Sequence, residues 1–214
     1  MHEENVPADY TEMDLSQAKR FDKKVRENFM PAILSTVKQV VNDYGPLEGV
    51  AIDVGCGTAI FAIELCKKSA LKIQALEKEK AIHHVACNNI EAAGFKDRIN
   101  AVIGDAHDLP FDSESADFAI SRGAYHCWHD KVQVFKEICR VLKKGGIGLV
   151  GGGFGRYVSG EELNKMKMLR DRSLEEDSKA YNSPELLKEV ISKVGISDVR
   201  LIEDPAGYWA EIRK

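Results

Sequence analysis

Between residues 48 and 151 the chain alternates short β-rich runs with segments whose apolar residues recur at helical spacing. Alternating strands and helices form parallel sheets, because a crossover helix must return the chain to the edge at which the next strand begins. The alternation therefore predicts an α/β fold with a doubly wound, mostly parallel sheet and helices on both faces. The predicted strands are residues 48–54, 71–77, 98–104, 115–121 and 146–151.

The segment before the first strand is predicted to be helical from Met30 onward. Its apolar residues recur at helical spacing as far as Tyr44, Pro31 suits a first helical turn, and Gly45 ends the pattern. The first twenty or so residues show no clear period. We expect residues 1–45 to form an N-terminal helical segment.

The chain after the fifth strand has two parts. Residues 156–182 are strongly charged and are predicted to form a lid-like insertion over the carboxyl edge of the sheet. Residues 183–214 are predicted to form a last helix and an antiparallel hairpin, whose strands are the runs at 197–203 and 208–213. We expect one domain over residues 1–214.

Composition narrows the classes of protein that this chain can belong to. The hydrophobic fraction is 44% and the charged fraction 30%, as in ordinary globular proteins. A net charge of −4 argues against a broad electropositive face, so nucleic acid is not an expected partner. No apolar run is long enough for a membrane span, and the acidic start MHEENVPADYTEMD does not resemble a signal peptide. We expect a cytoplasmic protein.

The first strand ends in a glycine turn, at the edge where doubly wound sheets bind ligands. Gly55 and Gly57, on either side of Cys56, allow a ligand to approach the backbone closely. A dinucleotide fingerprint would need glycine at position 60, where this chain has Ile60, so an NAD-dependent oxidoreductase is the less favoured alternative. Asp53 would repel a pyrophosphate but suits a ligand that carries an ammonium and a sulfonium.

Acidic residues also end the next two strands. Glu77 stands 20 residues after Gly57, where a carboxylate can accept hydrogen bonds from both hydroxyls of a ribose. Asp105 follows the third strand, where it can bind the exocyclic amine of an adenine. An ammonium, a ribose and an adenine amine together indicate S-adenosylmethionine.

The order of the segments AIDVGCGTA, ALEKE, GDAHDLPF, ADFAISRG and VLKKGG resembles the class I S-adenosylmethionine-dependent methyltransferases. The resemblance covers roughly residues 30–155 and the closing hairpin, and it is closest to small-molecule methyltransferases of the ubiquinone-biosynthesis type. It implies a Rossmann-like sheet of seven strands in the order 3-2-1-4-5-7-6. It also makes residues 46–155 the cofactor-binding core. One departure is Ala59, where many members of the family have a third glycine.

The resemblance also assigns cofactor contacts. Asp53 and the glycine turn would surround the methionine part, Glu77 would hold the ribose, and Asp105 with the Ala106 amide would read the adenine. Arg122, just after the fourth strand, would border the methyl group. The expected cofactor-binding residues are therefore Asp53, Gly55, Cys56, Gly57, Glu77, Lys78, Asp105, Ala106, His107 and Arg122.

The segment after the fourth strand is expected to face the methyl group that is transferred. His126 is a candidate general base near neutral pH, Tyr125 could orient an acceptor hydroxyl, and Arg122 could hold either the cofactor or an anionic acceptor. In the alternative interpretation this loop only packs against the adenine and the lid. His126, Cys127 and His129 also have the imidazole and thiol groups that bind soft metal ions. Adjacent residues rarely bind the same ion, so we expect no metal site.

The methyl acceptor is expected to be a small molecule. After the fourth strand the chain has no Asn-Pro-Pro-Tyr or Asp-Pro-Pro-Tyr, with which amino-group methyltransferases hold a planar nitrogen. We therefore expect an enzyme, monomeric or homodimeric, that transfers a methyl group by in-line displacement and releases S-adenosylhomocysteine. The alternative is a partner subunit or other protein that binds S-adenosylmethionine or S-adenosylhomocysteine without catalysis.

Overall fold

The computed structural model of the protein describes residues 13–173 and 184–214. Within these residues one mixed sheet has the strand order β3-β2-β1-β4-β5-β7-β6, which confirms the predicted order. Strands β1 to β5 are parallel where they pair, and β7 is antiparallel to both β5 and β6. The strands are β1 (Glu48–Val54), β2 (Ala70–Glu77), β3 (Ile99–Ile103), β4 (Ala116–Arg122), β5 (Leu142–Gly151), β6 (Val199–Asp204) and β7 (Gly207–Arg213).

Helices cover both faces of the sheet, as the alternating pattern predicts. A short 3₁₀ turn at Tyr125–Cys127 follows β4. The α-helices are α1 (Leu15–Asn28), α2 (Met30–Tyr44), α3 (Ile60–Cys66), α4 (Lys80–Ala92), α5 (Lys131–Val141), α6 (Gly160–Ser173) and α7 (Pro184–Val194).

Two hydrophobic cores lie on opposite sides of the sheet. Helices α2, α3 and α4 pack on one face against Ala51, Phe118 and Ile120, and helices α5 and α7 pack on the other. Because successive side chains of a strand point to opposite faces, Asp53 shares the face of Ala51, and Arg122 shares the face of Ile120. Both polar residues therefore lie on the side of the sheet that α2 and α3 cover.

Helix α1 lies where the sequence shows no clear period. It begins with a capping box, in which Asp14 accepts a hydrogen bond from the Gln17 backbone and the Gln17 side chain accepts one from Asp14. Within α1, all of which the structure describes, only Ala18 is fully buried. The described part of the segment expected to be helical, residues 1–45, therefore contains α1 as well as the helix predicted from Met30 onward.

The boundary between α5 and β5 differs from the expected one. The fifth strand is predicted to begin at residue 146, after the glycine at 145, whereas α5 ends at Val141 and β5 begins at Leu142. Leu142 is buried and pairs with Ala116 of β4, followed by a register shift. Strand pairing therefore begins four residues before the point at which the glycines suggest a break.

The described part of the predicted lid contains helix α6. Met166 of α6 is only 1% exposed and packs with Ala32 of α2 and with Phe154. Residues 174–182 of the predicted lid lie outside the described residues, and its closure stays a prediction. No helix among the described residues is both long enough and apolar enough to cross a membrane.

Candidate cofactor site

The glycine turn between β1 and α3 is held against the end of β2. The backbone N–H groups of Gly55 and Cys56 both donate to the Leu76 carbonyl oxygen at 2.9 Å. The Gly57 N–H donates to Oε2 of Glu77 at 3.0 Å. Phosphate-binding turns offer free backbone N–H groups to the anion, and these three are already used within the protein. The turn is therefore not built as a pyrophosphate cradle.

The backbone of the turn explains its small residues. Gly55 has a φ of +75°, and a Cβ there would lie 2.5 Å from the Cβ of Ala124. Gly57 has a φ of +57°, which side-chain-bearing residues rarely adopt. Ala59 is also left-handed, with φ 61° and ψ 16°, a backbone conformation that favours glycine. Ile60 is buried in the core beneath the turn.

A cavity of about 100 Å³ opens beside this turn. It brings together Asp53, the turn residues and Arg122, as the sequence predicts. It also includes Ile33 of α2, and two residues of α1 that the sequence analysis did not assign to a site. The lining residues are Phe21, Val25, Ile33, Asp53, Gly55, Cys56, Gly57, Thr58, Ile60, Phe61 and Arg122.

Asp53 and Arg122 are the charged residues of this cavity. Burial raises the pKa of Asp53 to about 7, with the charge of Glu77 acting in the same direction and that of Arg122 opposing it. Burial lowers the pKa of Arg122 to about 10, opposed by Asp53. In the described part of the chain, neither Asp53 Oδ2 nor Arg122 Nε has a hydrogen-bond partner. Buried polar atoms are almost always paired, so this donor set fits a ligand with an ammonium and a carboxylate.

Glu77 joins the glycine turn to the start of α4. Besides its bond with Gly57, its Oε1 accepts hydrogen bonds from the backbone N–H groups of Lys78 and Glu79, both at 2.9 Å. Burial raises the pKa of Glu77, although these three N–H groups act to lower it. A carboxylate has about four acceptor positions, so Glu77 can hold the turn and still accept a bond from a ribose hydroxyl.

Asp105 organises the neighbouring part of the site after β3. Its carboxylate accepts hydrogen bonds from Lys78 Nζ at 2.8 Å, the His107 N–H at 2.9 Å and His107 Nδ1 at 2.5 Å. Burial acts to raise the pKa of Asp105, but these bonds hold it well below its usual range. Ala106 is buried in the core on the other face of the sheet. Asp105, Lys78 and His107 therefore form one cluster.

This cluster is joined to the loop after β4. The His107 ring stacks on His129 with ring centroids 3.8 Å apart, and its Nε2 accepts a hydrogen bond from the Asp130 N–H at 3.3 Å. An Nδ1–H tautomer of His107 satisfies both bonds, because Nδ1 then donates to Asp105. The His107 imidazole thus connects Asp105, on the predicted adenine side, with the loop after β4, on the predicted acceptor side.

The three predicted catalytic residues have different surroundings. Arg122 lines the cavity. Tyr125 is completely buried, and its hydroxyl lies 3.0 Å from that of Tyr208, which favours a packing role over contact with an acceptor. His126 is half-buried, and its Nδ1 has no hydrogen-bond partner within residues 13–173 and 184–214. Burial, and then the charge of Lys131, lower the pKa of His126, so its imidazole is neutral near pH 7.

The loop after β4 contains the three residues that were considered as metal ligands. Cys127 and His129 are exposed, whereas His126 is half-buried. Among the residues that the structure describes, no group of three or more histidine, cysteine or acidic side chains is arranged to hold a metal ion.

Two α1 residues of the cavity, Phe21 and Val25, were missed by the sequence analysis. The signals that could have found them are the Asp14 and Gln17 capping pair and the helical spacing of Ala18, Phe21 and Val25. Both signals are weak beside the many charged residues of that segment.

Comparison with known proteins identifies the family. A family model described as a methyltransferase domain matches residues 52–150. A crystal structure from Methanococcus maripaludis, assigned as an S-adenosyl-L-methionine-dependent methyltransferase, is 31% identical. The match covers 98% of this chain and 97% of that chain, with a TM-score of 0.80.

The curated relatives match a smaller share of this chain. A demethylmenaquinone methyltransferase of Bacillus pumilus is 27% identical over 167 residues, which are 70% of this chain and 71% of that protein. An uncharacterized chloroplastic methyltransferase of Arabidopsis thaliana is 29% identical over 154 residues, 70% of this chain and 43% of that protein. The alignments span 43%, 34% and 30% of the first three curated relatives. Since the archaeal match extends over nearly all of both chains, this chain belongs to the class I S-adenosylmethionine-dependent methyltransferases, and its cofactor is S-adenosylmethionine.

Proposed function

We propose that this protein transfers a methyl group from S-adenosylmethionine to a small-molecule acceptor by in-line displacement. The observation that carries the proposal is the pair of buried polar atoms, Asp53 Oδ2 and Arg122 Nε, that find no partner among the described residues beside the glycine turn. A buried carboxylate and a buried guanidinium on one face of the sheet are complementary to the two charges of an amino acid. Family membership supports the same cofactor and reaction class.

In this proposal Asp53 binds the ammonium of the methionine part, and Arg122 binds its carboxylate. Asp53 pairs with Ile120 across β1 and β4, and Arg122 lies two residues further along β4 on the same face. Two residues of strand span about 7 Å, so the two side chains can reach the two charges of one amino acid. Gly55, Cys56 and Gly57 leave room for the ligand because they have small side chains or none.

In this proposal the ribose and adenine are bound by two carboxylates, one at the end of β2 and one just after β3. Glu77 accepts hydrogen bonds from the ribose, and Asp105 with the Ala106 amide holds the adenine. Lys78 and His107 orient the Asp105 carboxylate, to which both are hydrogen-bonded. The cofactor-binding core comprises residues 46–155.

When bound, S-adenosylmethionine supplies a methyl group that its sulfonium has already activated. The protein therefore has to align the acceptor, exclude water and remove a proton where the acceptor carries one. His126 is suited to accept that proton, because its lowered pKa keeps the imidazole neutral. The Tyr125 ring lies edge-on to His126, with centroids 6.3 Å apart, and supports its position.

The acceptor is proposed to be a small molecule, and quinols are the first class to test. Demethylmenaquinone and methyl-phytyl-hydroquinone methyltransferases are among the relatives, at 27 to 33% identity. The net charge of −4 also favours a small molecule over nucleic acid. In the non-catalytic alternative, His126 would have no proton to remove.

The test begins with calorimetric titration of S-adenosylmethionine, S-adenosylhomocysteine and NAD. We expect binding of the first two and not of NAD. Gly57→Val should abolish binding while circular dichroism shows a folded protein, because a β-branched residue is strained at the left-handed φ of Gly57 and its side chain would occupy part of the cavity that Gly57 lines. A folded Gly57→Val variant with normal affinity, or binding of NAD alone, would overturn the proposal.

The second step is a product screen with a labelled methyl donor. The full chain is incubated with quinols and with a metabolite extract, and labelled products are identified by mass analysis. A labelled small molecule supports the proposal. Tight binding of S-adenosylhomocysteine with no labelled product from either source would favour the non-catalytic alternative.

A further inference from the structure

The loop between β3 and β4 carries the residues that the proposed function assigns to adenine. Asp105 and the Ala106 amide lie near its start, and the loop continues past Leu109 and Phe111 before β4 begins at Ala116. An acceptor and a donor distinguish adenine from another purine only while both keep their positions, because a loop that moves can adapt to the wrong base. The contacts that hold this loop therefore bear on recognition of the cofactor.

Helix α5 presents a polar stripe to this loop. Gln133, Glu137 and Arg140 are four and three residues apart, so they share one face of the helix. The side chains of all three bond to backbone atoms of the loop. Gln133 Nε2, for example, donates to the His107 carbonyl oxygen at 3.1 Å. The sequence analysis assigned none of these three residues to a site.

Glu137 and Arg140 hold both backbone groups of Leu109. The Leu109 N–H donates to Glu137 Oε2 at 2.8 Å, and Arg140 Nη2 donates to the Leu109 carbonyl oxygen at 2.9 Å. Arg140 Nη1 donates to the Phe111 carbonyl oxygen at 2.8 Å. The two side chains are also paired with each other, from Nε to Oε1 and from Nη2 to Oε2, both at 2.7 Å. One ion pair thus fixes the loop four residues after Asp105.

Stability alone does not account for an ion pair at this position. Glu137 is only 8% exposed. Its hydrogen bonds with Arg140 lower the pKa of Glu137 although burial acts to raise it, so the carboxylate is ionised at neutral pH. Apolar residues that replace a buried ion pair often leave stability unchanged or increase it, so such a pair contributes geometry more than free energy. Here the bonds of the pair go to the loop, so the geometry that they define is that of the loop backbone.

We propose that Glu137 and Arg140 are positioning residues for adenine, which fix the backbone at Leu109 and thereby hold Asp105 and the Ala106 amide in place. This inference rests on the proposed function, since it assumes that the loop binds the adenine of S-adenosylmethionine. The pair then sets the selectivity for adenine over a purine with an oxygen in place of the exocyclic amine. While the loop is held, that oxygen must face the Asp105 carboxylate. Once the loop is released, the carboxylate can move away from it.

Calorimetry with two ligands tests this selectivity. S-inosylhomocysteine has an oxygen where S-adenosylhomocysteine has the exocyclic amine, and the selectivity is the ratio of the two Kd values. We expect the unmodified chain to bind the inosyl compound at least about tenfold more weakly, and Glu137→Ala to reduce this ratio about fivefold. Glu137→Gln keeps an acceptor oxygen for the Leu109 N–H and should retain more of the ratio. Arg140→Lys keeps the charge but loses the fork of donors, and should reduce the ratio about threefold.

Asp117→Ala is the matched control. Asp117 also accepts a hydrogen bond from a backbone N–H, that of Val50 at 2.8 Å, and its Oδ2 also pairs with a cation, Lys143 Nζ, at 2.8 Å. It lies at the start of β4, whereas the adenine loop follows the end of β3, so the two are at opposite edges of the parallel sheet. Asp117→Ala should lower the melting temperature and leave the selectivity ratio unchanged. A ratio that Glu137→Ala leaves unchanged, or that both substitutions reduce equally, would overturn the positioning role.

The outcomes separate this inference from the proposed function. Absence of S-adenosylhomocysteine binding by the unmodified chain would overturn both. Equal affinity of the unmodified chain for the two ligands would overturn the inference alone, because methyl transfer does not require that the loop distinguish purines. Should Glu137→Ala not fold, Arg140→Lys decides the matter: a reduced ratio supports the positioning role, and an unchanged ratio overturns it.

Discussion

The two sides of the cofactor site differ in how far their polar atoms are already paired. On the side of β2 and β3, both oxygens of Glu77 and both oxygens of Asp105 accept hydrogen bonds. On the side of β1 and β4, Asp53, Arg122 and His126 each keep a buried atom without a partner in the described chain. The carboxylates of the first side are bonded within the protein, and we call it the paired side. The second side, which we call the unpaired side, has buried polar atoms that only a ligand can pair.

This difference has an energetic consequence. A buried polar atom without a partner costs about 1–3 kcal/mol. Without a ligand, the unpaired side therefore contributes less to the stability of the fold than a fully paired site would. The same atoms then give the strongest binding, because their desolvation is complete before the ligand arrives. Substitutions on the unpaired side should therefore affect binding and turnover, whereas substitutions on the paired side should affect folding as well.

The largest expected effect is on turnover, at His126. His126→Ala should lower turnover ~10²- to 10⁴-fold with nearly unchanged cofactor affinity, since a general base acts only in the chemical step. The loss should shrink as pH rises, because the acceptor then loses its proton unaided. Steady-state rates between pH 6 and 9 check this, with His84→Ala, at an exposed position of α4, as the control. Full turnover across that range would make His126 a packing residue.

Glu77 should show the combined effect expected of the paired side. Glu77→Ala leaves the N–H groups of Gly57, Lys78 and Glu79 without their acceptor, so the free energy of unfolding should fall by ~2–3 kcal/mol. The Kd for S-adenosylhomocysteine should rise at least about tenfold, because both the ribose acceptor and the turn geometry are lost. Glu77→Gln keeps one acceptor oxygen and should lose less of both. Denaturant unfolding and calorimetry measure the two losses, and unchanged stability of Glu77→Ala would contradict the scaffold role.

The contrast between the two sides also explains what the sequence could predict. The parallel sheet, the glycine turn and the acids Asp53, Glu77 and Asp105 follow from short motifs and from the alternation of elements, whereas the strand order was implied by the resemblance to a known family, and the fold prediction is confirmed. The pairing state of those acids depends on contacts between separate segments, such as Gly57 with Glu77. Local periodicity carries no information about such contacts.

The burial of Tyr125 and the attachment of α1 to the site depend on the same kind of distant contact. The Tyr125 hydroxyl lies against Tyr208, 83 residues further along the chain, so nothing near Tyr125 signals that it is buried. Helix α1 is attached through Asp22 to Asn89, a polar contact 67 residues apart, rather than through a broad apolar face. The start of β5 likewise depends on the pairing of Leu142 with Ala116 in another strand.

Asp53 should give the unpaired side a pH dependence of stability. Its pKa is about 7 in the folded chain and near 3.8 when unfolded, so between these values the native state holds a proton that the unfolded state lacks. The free energy of unfolding should therefore fall as pH rises, on the order of 2 kcal/mol between pH 5 and 7. Asp53→Asn should lack this decline. Thermal unfolding of both proteins at several pH values checks it, and parallel profiles would refute the assignment.

Binding should have the opposite pH dependence. An ammonium is attracted only to the ionised form of Asp53, so affinity for S-adenosylhomocysteine should increase from pH 6 to 8 and then level off. In Asp53→Asn the affinity should be lower and nearly constant over this range. Calorimetry in buffers of different ionisation enthalpy should also detect proton release on binding to the unmodified chain alone.

The smallest effect is expected at Lys78, which belongs to the paired side but stands at its surface. Its ammonium is bonded to Asp105 at 2.8 Å, yet the side chain is 73% exposed, and ion pairs of this kind contribute about 0–1 kcal/mol. Asp105 keeps two hydrogen bonds from His107 when Lys78 is removed. Lys78→Ala should therefore raise the Kd for S-adenosylhomocysteine less than about threefold and leave the melting temperature unchanged. Calorimetry of both proteins at low and high salt measures this loss of affinity. A larger loss that disappears at high salt would mean that Lys78 itself contacts the cofactor. The adenine side would then depend on a surface charge rather than on the hydrogen bonds within the protein.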